Sequence, residues 1–218
     1  MKIRNFETVL GALSLLLLSA TTAPAALFTF HTDFTSFSAA VGGSLVSQDF
    51  ESVPPGTNLS GVEFLSGVAA TTNMDALEAF AGTTTVMFGL GGRANGNARY
   101  DIAISLPYFA VGFDITAFEA DPNTPSKAAG PGSLTFAFAD ATSFVADIFG
   151  NLDGDPIFVG VTSDTPIAGI RWAEALEGSG GNEETALDNF SVSRVPEPGV
   201  ALLLGAGLAG LGARRRRA

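Results

Sequence analysis

Cysteine is absent and histidine occurs once in 218 residues. Without thiols there can be no disulfide framework, thiolate zinc site, cysteine nucleophile or iron–sulfur cluster. One imidazole also excludes a histidine-rich metal centre. Charge is sparse: 15% of residues are Asp, Glu, Lys or Arg, against about 25% in an average globular chain. Lys and Arg number 11 against 22 Asp and Glu, so the formal charge is −11. Tryptophan occurs once and tyrosine twice, which leaves few rings as ligand platforms. What the chain does have is 18 Phe, 26 Gly and 11 Pro. That is material for a core with many turns, and the length suits one domain, at most two.

The two ends read as processing segments. Lys2 and Arg4 precede an apolar run from Val9 to Leu18, and Ala23-Pro24-Ala25 supplies a small-residue cleavage site at Ala23 and Ala25. This predicts a secretory signal peptide over 1–25. The exported domain is then expected over 26–194. The last segment, 195–218, has three parts. Pro196, Glu197 and Pro198 stop any incoming strand. Residues 199–213 carry no polar side chain and would reach about 22 Å as a helix. Arg214, Arg215, Arg216 and Arg217 then act as a membrane stop that stays cytoplasmic. Two false leads lie nearby. Gly205 to Gly210 fits G-x-G-x-x-G, but a dinucleotide fingerprint needs a following βαβ unit, and here arginines follow. The glycine-rich segment 89–97 lacks the Lys-Ser/Thr ending of a P-loop.

Pro-Glu-Pro, an apolar Gly-rich helix and a terminal Arg cluster together resemble the PEP-CTERM sorting tail of Gram-negative exported proteins. The resemblance covers about 25 residues at the end of the chain. It implies recognition by exosortase as partner and a transient inner-membrane anchor. It further implies delivery to the cell surface or extracellular matrix, and an association with exopolysaccharide and biofilm. It describes sorting rather than the domain that is sorted.

Between the ends lie 20 acids and five bases. Such a field repels phosphate backbones, so no nucleic-acid partner is expected. Period-2 alternation recurs at Tyr100 to Leu106, Val111 to Ile115, Leu134 to Ala139, Ile157 to Val161, Ile167 to Trp172 and Ala186 to Val192. Val46 to Glu51, Gly61 to Leu65 and Thr83 to Phe88 are further candidates. Roughly nine to eleven short strands without long helices predict an all-β fold. The expected architecture is an antiparallel, jelly-roll-like β-sandwich, flanked by the signal helix and a C-terminal transmembrane helix. One short helix is predicted near the start, capped by Asp33, with Phe34, Phe37 and Val41 on one face.

Candidate sites are few. His31 stands near the start of the exported domain, poorly placed for a catalytic triad. Asp153-Gly154-Asp155 reads as an acidic turn, not a complete calcium loop. Asp49-Phe50-Glu51 and Leu187-Asp188-Asn189-Phe190 resemble the paired segments of jelly-roll carbohydrate-binding modules that hold structural calcium. By that resemblance Glu51 and Asp188 would be metal ligands, with backbone carbonyls completing six to eight oxygens. Trp172 is the candidate ligand-binding ring, although its strand position beside Arg171 favours a core role. No catalytic residue is assigned and no cofactor is required; a structural calcium is the one ion the resemblance implies. The expected role is a surface or matrix protein that binds or structures exopolysaccharide, and not an enzyme. A secreted carbohydrate-active enzyme using a carboxylate pair and a passive matrix protein are the alternatives.

Overall fold

The computed structural model describes residues 25–93, 97–119, 130–174 and 185–194. In chain order the elements are β1 (Phe28–His31), α1 (Phe34–Val41), β2 (Val46–Gln48), β3 (Glu63–Leu65), β4 (Val68–Thr72) and β5 (Met74–Ala81). There follow β6 (Thr85–Arg93), β7 (Arg99–Thr116), β8 (Gly132–Phe138), β9 (Ser143–Ile148), β10 (Ile157–Ala173) and β11 (Ala186–Ser193). Every pairing between these strands is antiparallel. The all-β expectation holds. Among the described residues no helix is long and apolar enough to cross a membrane. The predicted signal helix and the predicted helix of 199–213 lie outside those residues, as do Ala23, the Pro-Glu-Pro motif and the arginine cluster. Ala25 is described, and it is exposed.

The eleven strands form one continuous sheet, ordered β5-β6-β11-β7-β10-β8-β9 with the short strands attached. Two long strands make it continuous. The first half of β7 pairs with β4 and with the second half of β10; its second half pairs with β11 and with the first half of β10. The periodicity predicts four separate strands here, and the structure joins them into two. Pro166 lies in the interruption of the β7–β10 ladder between the Thr162–Ala110 and Ile167–Tyr108 pairs, and Pro107 in the next one, between Ile167–Tyr108 and Gly169–Ala103. A proline that donates no hydrogen bond is tolerated at such an irregularity, so the strand bends and continues.

The two lobes of the sheet close on a single core. Tyr100, Leu134, Phe136 and Trp172 come from one lobe; Leu77, Met87, Phe113, Leu187 and Phe190 from the other. The Tyr100 hydroxyl spans the two, accepting from Gly89 N–H on β6 (3.0 Å) and donating to the Thr185 carbonyl. Packing is tight where glycine permits it. A Cβ on Gly132 would lie 2.0 Å from the Trp172 ring. Alternation explains the burial: β8 places Leu134, Phe136 and Phe138 inward and Ser133, Thr135 and Ala137 outward.

Helix α1 forms as expected. The Asp33 side chain accepts Ser36 N–H at 2.8 Å, and Gly42 closes the helix in the left-handed region. Phe37 and Val41 are buried against β7 and β10, but Phe34 remains half-exposed.

Candidate functional site

A groove of about 710 Å³ opens at one end of the sheet, between the β5–β6 hairpin, the start of β11 and the segments around Ala117 and Gly154. Its apolar wall is Phe80 and Phe88, whose rings meet at 5.2 Å. Phe80 is 44% exposed, so part of its ring is open to solvent. The polar side holds Asp188, Asn189, Asp155 and Thr116.

The shape of this end comes from a bulge in β11. Its register against β7 slips by one residue between Asp188–Asp114 and Ser191–Gly112. Asn189 adopts φ 50°, a left-handed conformation that asparagine tolerates better than most residues. From there its N–H donates to Asp188 Oδ1 at 2.8 Å, and its Nδ2 donates to Asp114 Oδ2 at 2.8 Å. One residue therefore ties two facing carboxylates. Ala117, which also lines the groove, has φ 56°, and Phe50 has φ 58°. Left-handed conformations at non-glycine residues cost energy, so at Asn189 and Ala117 the surrounding structure enforces the shape of this end.

The electrostatics follow from burial. Asp188 is only 6% exposed, and loss of hydration pushes its carboxyl up to about 6. Asn189 N–H opposes the shift, while the charges of Asp114, Glu51 and Asp49 reinforce it. Asp114 is also raised, chiefly by burial, against the pull of Asn189. Glu51 Oε1 accepts Thr85 N–H at 3.0 Å and so pins the β5–β6 hairpin to the first acidic segment. Glu51 and Asp188 thus belong to one acidic end, where the charge of Glu51 acts on Asp188. Among the described residues, no group of three or more His, Asp or Glu is disposed to hold a metal ion. Calcium there would need most of its oxygens from carbonyls and water.

Trp172 is the correction. It is 0% exposed, packs edge-on against Phe118 and donates Nε1–H to Thr185 Oγ1 at 2.9 Å. A ring without exposed surface offers no platform, so Trp172 is a core residue. The ring that faces solvent in the groove is Phe80, and the sequence pointed only to phenylalanines as core. Its signal was weak: a lone Phe in Ala79-Phe80-Ala81, just before a Gly-Thr-Thr-Thr turn.

His31 takes no catalytic geometry. Its Nε2 lies 3.0 Å from Thr162 Oγ1, and its Nδ1 is 3.4 Å from Ser36 Oγ. Ser36 Oγ donates to Asp33 Oδ2 at 2.7 Å. The serine therefore bonds the carboxylate directly, and the histidine does not stand between them as a triad requires. A second, shallower depression of about 400 Å³ crosses the other lobe over Ala103, Ala137 and Gly169. Its carboxylate, Asp101, already receives Arg99 Nε (2.9 Å) and Arg171 Nε (2.5 Å).

The decisive comparison concerns the end of the chain. Residues 194–217 match the PEP-CTERM protein-sorting motif. The chain carries the C-terminal tail of an exosortase substrate. The PEP-CTERM tail implies recognition by exosortase, export and a transient membrane anchor. It begins directly after β11, whose last residue is Ser193. The match concerns the tail and leaves the β domain unassigned. No curated protein matches the chain.

Proposed function

We propose that this PEP-CTERM protein is a cell-surface or extracellular-matrix component whose β domain binds exopolysaccharide in the groove beside Asp188. The observation that supports this is the pairing of a partly exposed aromatic ring, Phe80, with hydrogen-bonding groups of Asp188, Asn189 and Asp155 across one open groove. Sugar rings present apolar C–H faces and polar hydroxyl edges, and such a groove offers a partner to each. Its acidity suits a neutral or cation-bridged glycan. Affinity electrophoresis through the producing bacterium's exopolysaccharide tests the reading. Phe80→Ala should abolish retardation while the domain stays folded, with a lower melting temperature from the lost contact with Phe88. Equal retardation of wild type and variant would refute it.

In the same reading the first 25 residues are a signal peptide cut after Ala25, and the two lobes are the layers of a jelly-roll-like sandwich. The common core beneath both lobes supports the latter. A structural calcium would settle at the acidic end, with Glu51 and Asp188 as its carboxylates, where it would relieve the mutual repulsion of Asp188, Asp114, Glu51 and Asp49. The domain is read as non-catalytic. One observation favours the alternative of a carboxylate-pair enzyme: Asp188 faces Asp114 across the strands, and its carboxyl is raised toward neutrality. Glycan turnover lost in both Asp188→Asn and Asp114→Asn would replace binding by hydrolysis.

A further inference from the structure

We propose that the free edge of β9 is a homotypic docking surface, at which a second copy of this chain pairs antiparallel about a two-fold axis through Val145. Among the described residues, β9 pairs with β8 alone. The bond from Phe138 N–H to the Thr142 carbonyl sets the phase of that ladder. By antiparallel alternation Phe144, Ala146 and Ile148 turn their backbone groups toward β8, while Ser143, Val145 and Asp147 turn theirs outward.

Other edges are closed or short. The outer side of β5 is covered by residues 56–59, through Gly56 N–H to Ala79, Ala79 N–H to Thr57 and Leu59 N–H to Leu77. Strands β1, β2 and β3 have three or four residues each. Open edges of soluble domains are usually blunted by lysine, proline or a bulge. The six residues Ser-Phe-Val-Ala-Asp-Ile of β9 contain neither lysine nor proline and a single charge, Asp147, and their register against β8 has no slip.

The sequence of the strand favours a second copy as the occupant. Centred on Val145, the pairing sets Val145 against Val145, Ser143 against Asp147 and Phe144 against Ala146. All three pairs keep like faces together, and the single charge meets a hydroxyl instead of its own copy. About six backbone hydrogen bonds would form. Val145 is 56% exposed and Phe149, one residue past the strand, is 68% exposed. In this register Phe149 falls beside the second copy's Ala141 turn, so both apolar side chains become covered.

Sedimentation of the full-length chain in mild detergent, with and without added salt, tests the proposal. Wild type should be dimeric, and more so in salt, which screens repulsion between two acidic domains. Val145→Lys and Val145→Asp should each weaken dimerisation about tenfold or more, since like charges would face one another at the centre. Mixing the two variants should restore dimers, which a folding defect or a tail-driven association cannot do. Val46→Lys, at an equally exposed position on β2, should stay dimeric. A monomeric wild type, dimers unaffected by either Val145 change, or a mixture that stays monomeric would overturn it.

Discussion

Replacing Asp188 by Asn should make the protein more stable at neutral pH, and the size follows from the site. The folded carboxyl titrates at about 6, and an unfolded one at about 3.9. The native state therefore holds the proton more tightly than the unfolded chain. Below the unfolded value both states are protonated and Asp188 costs nothing. As pH rises through the interval from about 4 to about 6, the unfolded state ionises first and stability falls. Above the folded value the loss is complete, at about 3 kcal/mol for a carboxyl held at about 6 in the folded state. Asparagine has the same shape, keeps a carbonyl to accept Asn189 N–H and does not ionise. Thermal melts of wild type and Asp188→Asn in EDTA, from pH 4 to pH 8, read the difference directly. The two curves should coincide near pH 4 and diverge to roughly 5–10 °C near pH 7, the variant melting higher. Adding calcium should raise the wild-type midpoint and narrow the gap if the acidic end takes the ion. A variant that melts lower than wild type at pH 7, or a gap independent of pH, would show that Asp188 is not held uncomfortably charged.

Two core substitutions test how the lobes are joined. Tyr100→Phe leaves the buried Gly89 N–H and Thr185 carbonyl without their shared hydroxyl and should cost about 1–3 kcal/mol in urea denaturation; a loss under half a kilocalorie, on the order of surface changes, would mean that this bridge contributes little. Gly132→Ala pushes a methyl group into the Trp172 ring and should cost about 1–3 kcal/mol, with altered tryptophan fluorescence; a neutral effect would place more room beside that ring than the structure shows.

Much of the architecture was legible because strands with one buried face carry period-2 alternation, and β8 and β11 stand where that pattern put them. The short helix was legible from Asp33 and the spacing of Phe37 and Val41. The alternation of β5 was hidden, since Ala76, Ala79 and Ala81 blur the contrast between its faces. The continuity of β7 and β10 through Pro107 and Pro166 was also hidden: proline ends a regular ladder, and only the partner strand reveals that the ladder slips at that point. At the candidate site, the two acidic segments were legible as short motifs, but the bulge at Asp188-Asn189 that shapes this end was not, because it depends on the register against β7. The aromatic partner was not legible. Composition gives every phenylalanine the same prior for the core, and Phe80 is distinguished only by standing at the end of a hairpin. Trp172 shows the converse, a ring of the type that binds sugars sealed inside the protein.

The position of β11 has a mechanical consequence. It is the last strand before the PEP-CTERM tail, and it is bonded on both sides, to β7 on one and to β6 and β2 on the other. While the tail is held in the bilayer, tension between membrane and surroundings enters the domain through this interior strand. A load directed along this strand must shear several ladders at once instead of unzipping a margin.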